Sequence, residues 1–278
     1  MADLVMSQEE ERMMGQLMIP SQPTVLRAIA AETDNEHGDL ARVARLVSED
    51  VSISGGILLV VNSPLFRRRR EIGSIREAVM LLGLKRVYSV ARTVALRNAL
   101  SHLPRMHEFW KSSVTLAEAC GGAARLLKRP DLVDDAYLLG LFHLVGVPAL
   151  RSVLGEAYET VERQADLSGW QSSVHEEQRR YGVSHDRLGA LITQRWRAPT
   201  SVIQATAHQY QVARLDRLVT LHPDAPDLLV MLKLALRATA AVDPARMTYA
   251  DWETTQDLLA DYLALDVQSL DGLVEELA

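Results

Sequence analysis

Apolar residues in this chain step by three and four from end to end, as in Val25 and Ile29, Leu40, Val43, Leu46 and Val47, Val79 and Leu82, or Leu188, Leu191 and Ile192. That spacing stacks side chains on one face of a helix, whereas the two-residue alternation that would line one face of a strand is hardly sustained anywhere. An all-α fold is predicted, with about fourteen short helices. Ser7 with Glu10, Ser74 with Glu77 and Ser173 with Glu176 have the spacing at which side chains satisfy the orphan amides of a helix start. Gly and Pro punctuate the pattern at Pro20, Pro23, Gly38, Pro64, Gly83, Pro104, Pro130, Gly182, Pro199, Pro223 and Pro226.

With 48% apolar residues in 278, the chain can bury a large core. Its single cysteine, Cys120, allows no intramolecular disulfide and lies in a run of small residues, so a buried thiol in a reducing cytoplasm is expected. Glu9, Glu10 and Glu11 oppose the charge pattern of a secretory or mitochondrial leader. The uncharged stretch Ala136 to Leu150 is shorter than the roughly 20 residues a membrane helix needs, so no membrane partner is expected. A formal net charge of −6 argues against a general nucleic-acid binder.

No internal repeat is visible, and three zones are drawn: 1–105, 106–212 and a leucine-rich 213–278, with 212–227 as the most loop-like join. Charge is uneven along them. Between Phe66 and Arg105 there are ten Lys or Arg residues, while from Met247 onward there are eight Asp or Glu and neither Lys nor Arg. From Asp251 to Leu277 the leucines recur as in two amphipathic helices that would cover the core or a partner. Met13, Met14 and Met18 are expected in a core or helix seam. No phosphate-binding Gly-x-x-x-x-Gly-Lys-Ser/Thr loop, Gly-x-Ser-x-Gly elbow or Cys-x-x-Cys pair is present.

Several stretches, in order, carry a resemblance. Ile19-Pro20-x-x-Pro23 with Val25-Leu26 opens it; Val47-Ser48-Glu49-Asp50 follows, then Leu58 to Val61 with Asn62-Ser63, then Ile72 and Ile75 to Gly83. Phe109-Trp110-Lys111-Ser112, Gly140-Leu141-Phe142-His143-Leu144-Val145-Gly146, Tyr181 to His185 with Gly189, and Trp196 through Gln209 complete it. From Ile19 to about Gln211 the chain resembles the HDOD family, bacterial signalling relatives of the HD metal-dependent phosphohydrolases and of the HD-GYP cyclic-dinucleotide phosphodiesterases. The resemblance implies an HD-like helical bundle with an N-terminal helical subdomain. Its boundaries would be a helical extension at 1–18, an HDOD domain at 19–212 with groups at 19–105 and 106–212, and a C-terminal helical segment at 213–278 packing on the domain.

The resemblance also implies where this chain departs. Asp50 is followed by Val51 where the family usually has Pro, Ser112 stands at a histidine position, Leu144 replaces the Asp of His-Asp, and Gln209 stands where a second histidine often follows His208. HD-type catalysis uses one or two metals to activate water, and an aliphatic residue at 144 removes a bridging carboxylate. No catalytic residue and no cofactor are therefore expected; Ser112, His143, Leu144, His185, His208 and Gln209 are vestigial positions. A metal, if held at all, would fall to His143, His185 and His208. The expected function is a non-catalytic signalling output or adaptor binding a regulatory protein through that degenerate cleft or through the basic loop 62–73. Asn62, Arg67, Arg68, Arg69 and Arg70 are its partner-binding candidates. The alternative is a residual phosphohydrolase acting on nucleotides or cyclic dinucleotides. Few aromatics lie among the arginines, which disfavours stacking on nucleic-acid bases. No βαβ-like stretch with a strand-ending Asp precedes Ile19, so either the input arrives from another chain or this is an excised or stand-alone output domain.

Overall fold

The computed structural model describes residues 4–17, 19, 22–62, 72–240 and 248–278. Seventeen α-helices and three short 3₁₀ segments, with no strand, occur among the described residues. The backbone clusters into two compact units, Ile19–His102 and a second made of Met1–Met18 with Leu103–Ala278. The basic candidates Arg67, Arg68, Arg69 and Arg70 lie outside the described residues, as does Met18.

Helix α1 (Gln8–Gln16) starts in the larger unit at the capping box formed by Ser7 and Glu10, and buries Met13 and Met14. It packs on α8 and α11, defined below, where Arg187 pairs with Glu10 at 2.7 Å. Leu4 adds a reciprocal backbone clasp, its N–H donating to Gln194 Oε1 at 2.7 Å and its carbonyl accepting from Nε2 at 3.2 Å.

The smaller unit holds α2 (Thr24–Thr33), α3 (Leu40–Ser48), α4 (Val51–Val61) and α5 (Ile75–Ala99). The first three all pack on α5, burying Leu26, Ile29, Val43, Val47, Ile57, Val79 and Val87. Asp50 is the N-cap of α4, its Oδ1 accepting from the Ile53 N–H at 3.0 Å. Val51 therefore occupies the first helical position, where Pro is especially well tolerated because that amide has no intrahelical partner. Ser74 caps α5, which kinks at Gly83, where a φ of 74° suits a residue without Cβ. Asn62 ends α4 through an Nδ2 bond to the Leu58 carbonyl at 2.9 Å. It also reaches across the sequence to Ile72: Oδ1 accepts its N–H at 2.8 Å and Nδ2 donates to its carbonyl at 2.9 Å.

The larger unit continues with α6 (Met106–Leu126), α7 (Val133–Phe142), α8 (Gly146–Leu154), α9 (Glu159–Ser168), α10 (Trp170–Tyr181), α11 (His185–Arg195) and α12 (Thr200–Ala207). Then come α13 (Leu215–Leu221), α14 (Ala225–Ala238), α15 (Tyr249–Glu253), α16 (Gln256–Leu263) and α17 (Val267–Leu277). Helix α14 runs through the interior against α6, α7 and α12, with every residue from Leu228 to Leu236 buried. Cys120 is buried beside Gly140, where an added Cβ would sit 2.8 Å from its sulfur.

Two expectations need correction. The join 212–227 is not loop-like but carries a 3₁₀ turn and α13, because Leu215 and Leu218 are buried and hold it to the core. Ser173 does not start a helix: α10 begins at Trp170 after Gly169, whose φ of 79° breaks the chain from α9. The periodic leucines of 251–277 fall in two helices, α16 and α17, as their spacing predicts, and α17 packs on α14 and α6. Residues 130–168 include a window apolar enough to cross a membrane, but it is 67% buried and broken between α7, α8 and α9.

Candidate functional site

Two glycines with φ near 75° bracket α10, Gly169 before it and Gly182 after it, and turn the chain so that α11 starts against its last turns. Ser184 is the N-cap of α11 in extended conformation, which makes His185 the first helical residue. An amide there lacks an intrahelical partner, and Glu177 on the buried face of α10 supplies one. Its Oε2 accepts from the His185 backbone N–H at 2.8 Å and pairs with His185 Nδ1 at 2.7 Å. The other carboxylate oxygen accepts from the Tyr158 hydroxyl. His185 Nε2 meets the Tyr210 hydroxyl at 2.7 Å, and Trp170 covers the imidazole edge-on at 5.5 Å. Tyr158, Glu177 and His185 are fully buried, and Tyr210 is half-buried, so a polar relay runs outward from the core through four side chains.

Burial opposes charge on His185, but the Glu177 carboxylate, by charge and hydrogen bond, holds its pKa above the ordinary 6.5. With Nδ1 donating to Glu177, the Tyr210 hydroxyl donates to a neutral ring or accepts from a charged one. Burial, reinforced by Glu177, pushes the Tyr158 phenol well up. Burial also raises the Asp186 carboxyl, despite the neighbouring His185 and Ser184. Beyond the relay, Lys233 places Nζ 5.1 Å from the centroid of the Tyr210 ring. Burial lowers its pKa to about 8, with Asp251 pulling the other way.

His143 ends α7 and is buried, its Nδ1 at 3.0 Å from the Gly140 carbonyl. Gln209 Nε2 donates to the His143 carbonyl at 2.8 Å, so these two candidates do meet. Leu144 is buried with them. His208 is half-buried at the end of α12, with Nδ1 on the Gln204 carbonyl at 2.9 Å, and Ser112 Oγ turns to the Phe109 carbonyl at 3.3 Å. The three histidines are not gathered: among the described residues no three His, Cys, Asp or Glu side chains are grouped to hold a metal ion. The HD-type metal centre does not fit this donor set. Leu144 offers no lone pair, and a histidine oriented by a carboxylate through Nδ1 would need a free Nε2, which in His185 faces Tyr210.

Gly146 has a separate reason for its place after His143-Leu144-Val145. A Cβ there would lie 1.9 Å from the His185 carbonyl oxygen and 2.9 Å from the Gly189 amide nitrogen. The start of α8 thus abuts the first turn of α11 backbone to backbone, with a second glycine opposite. Sequence reasoning missed Tyr158, Glu177, Tyr210 and Lys233. For Lys233 a signal existed, a lone cation within the apolar run Leu228 to Leu236; for Glu177 and Tyr158, helices apart in sequence, there was none.

The HDOD domain pattern matches residues 19–212, more than half of the chain. The chain belongs to the HDOD family. This HDOD chain is 26% identical over 187 residues to an uncharacterised Treponema pallidum protein, covering 66% of itself and 36% of that protein. It is 30% identical over 116 residues to the uncharacterised Bacillus subtilis protein YuxH, covering 41% and 28%. It spans about a third of the length of these curated relatives. A crystal structure of an HDOD domain protein from Geobacter sulfurreducens superposes with a TM-score of 0.65 at 20% identity, over 97% of each chain. A Shewanella amazonensis protein bearing a provisional phosphohydrolase name gives 0.69 at 19% identity, over 98% of this chain and 93% of that one. At these identities both neighbours establish the HDOD fold alone. The family match ends at Val212, so α13 to α17 lie beyond it.

Proposed function

We propose that this chain is a non-catalytic bacterial signalling module, an output or adaptor domain acting in the cytoplasm and binding a regulatory protein. The binding surface is the degenerate HD region or the basic segment 62–73. One observation carries the reading: both ring nitrogens of His185 are engaged by Glu177 and Tyr210. With Leu144 at the carboxylate position, His185 is spent on joining α10 to α11 rather than on gripping a cation. Recognition remains a task such a scaffold performs, since a rigid polar core positions surface residues without reacting itself.

The test combines two measurements on the purified chain. Incubation with nucleotides and cyclic dinucleotides, with and without added Mn²⁺, is expected to release no phosphate. Affinity capture of partners by the intact chain is expected to weaken when Arg67, Arg68, Arg69 and Arg70 are changed to Ser, or when the HD region is altered by Gln209→Ala. Phosphodiester turnover that disappears in His143→Ala would overturn the proposal, and capture unchanged in both variants would remove both surfaces.

A further inference from the structure

Lys233 lies in the middle of the interior helix α14 and is 2% exposed, between Leu232 and Leu234. Its ammonium has three donors, and among the described residues none finds a hydrogen-bond acceptor. What it has instead is the face of Tyr210 at 5.1 Å, a cation–π contact. Removing an ammonium from water costs several kcal/mol, so the ring alone does not offset burial. Asp251 attracts Lys233 electrostatically, yet its Oδ2 accepts from the Thr248 N–H at 3.0 Å and hydroxyl at 2.7 Å, capping α15. The cation therefore lies in a largely apolar setting with no ion pair to a carboxylate among the described residues.

We propose that Lys233, together with Tyr210, forms a receptor for a small oxyanion, the phosphate or carboxylate end of a ligand that enters past the Tyr210 ring. Such a group supplies what the site lacks, a countercharge and several acceptor lone pairs, in charge-assisted bonds about twice as strong as neutral ones. A cation is repelled there, and a neutral ligand leaves the charge uncompensated. Tyr210 is half-buried, so this end of the site lies nearer the surface than the interior of α14 does. Its hydroxyl is already fixed by His185, which couples occupancy of the Lys233 site to the relay through His185 and Glu177. Lys233 lies outside residues 19–212 and Tyr210 inside them, so the site's cation comes from the C-terminal helices beyond the matched family pattern. The inference rests on the reading of this region as a recognition site and names the chemistry it recognises.

The test is thermal unfolding of the full chain in inorganic phosphate, in acetate and in chloride of matched ionic strength, for wild type and Lys233→Met. At pH 6.5 phosphate or acetate is expected to raise Tm above the chloride control with a saturable dependence. The rise should be absent in Lys233→Met and should fade as the pH passes about 8 and the amine loses its proton. Comparison of the two anions separates a phosphate ligand from a carboxylate one. No rise beyond chloride overturns the proposal; so does an equal rise in Lys233→Met, which means an adventitious ion only. If that variant does not fold, the ¹³Cε resonance of Lys233 in the wild type must shift on phosphate addition, and a stationary resonance also overturns it. Partner capture by the same preparations is read separately, so a lost anion response with intact capture sinks this site and leaves the signalling role standing.

Discussion

A single oxygen of Glu177 holds both the backbone N–H of His185, at 2.8 Å, and its Nδ1, at 2.7 Å. The bond pair joins the last turns of α10 to the first residue of α11. Glu177→Ala strips the amide, the imidazole and the Tyr158 hydroxyl of their acceptor at once, and is expected to cost about 3–5 kcal/mol, as for breaking a buried charge pair. Urea unfolding measures the loss; a change under 1 kcal/mol would show that the relay carries little of the stability.

The same carboxylate sets a pH dependence. Because the folded His185 pKa lies above its ordinary 6.5, the folded state binds this proton more tightly than the unfolded chain. The stabilisation is fully present below about 6.5 and is lost as pH rises through the raised folded value. An NMR titration of the His185 ring is expected to show a midpoint above 6.5 that drops in Glu177→Gln. A midpoint at or below 6.5 in the wild type would contradict it.

For Lys233 the sign is reversed. A pKa lowered from 10.5 to about 8 means that the charged form is disfavoured in the fold, a cost of roughly 3 kcal/mol at neutral pH. Without an anion present, Lys233→Met is expected to be more stable than wild type below pH 8. The gain should shrink between about pH 8 and 10.5, where the unfolded lysine still holds its proton and the folded one does not. Denaturant midpoints across pH 6 to 11 would reveal this; a variant less stable than wild type at pH 7 would refute it.

Gly146 tolerates no side chain, since its Cβ would lie 1.9 Å from the His185 carbonyl oxygen. Gly146→Ala must push α8 from α11, and a loss of about 3 kcal/mol or more is expected, at the upper end of overpacking costs. Gly189→Ala, whose nearest neighbours stand at 3.3 and 3.5 Å, should cost less. Melting temperatures in the reverse order would argue against the backbone contact.

Asn62→Ala removes three side-chain hydrogen bonds, two of them to Ile72. A loss of about 1–3 kcal/mol is expected, with faster hydrogen exchange at the Ile72 amide than at amides within α2 and α3. Unchanged protection at Ile72 would mean that the pairing does not persist in solution.

Helix content was legible because the three-and-four spacing of apolar residues is a local property, and Ser7 with Glu10 capped α1 as the spacing required. Ser173 with Glu176 has the same spacing but lies inside α10, because the break at Gly169 lets the helix start at Trp170, three residues before Ser173. A local pattern cannot tell a start from a middle. The histidines of the HD pattern were recognisable in order, yet their partners were not: Glu177 and Tyr210 stand 8 and 25 positions from His185, and only the fold brings them to it. Lys233 was visible as an anomaly, but its meaning depends on Tyr210 and Asp251, which no periodicity connects.

The pairing of Asn62 with Ile72 divides the labour at that junction between two kinds of atom. Asn62 must keep its amide, since both its oxygen and its nitrogen are engaged, whereas Ile72 gives only backbone atoms to the tie and its buried side chain need only stay apolar. Position 72 can therefore change among aliphatic residues over evolution without untying the end of α4, and position 62 cannot.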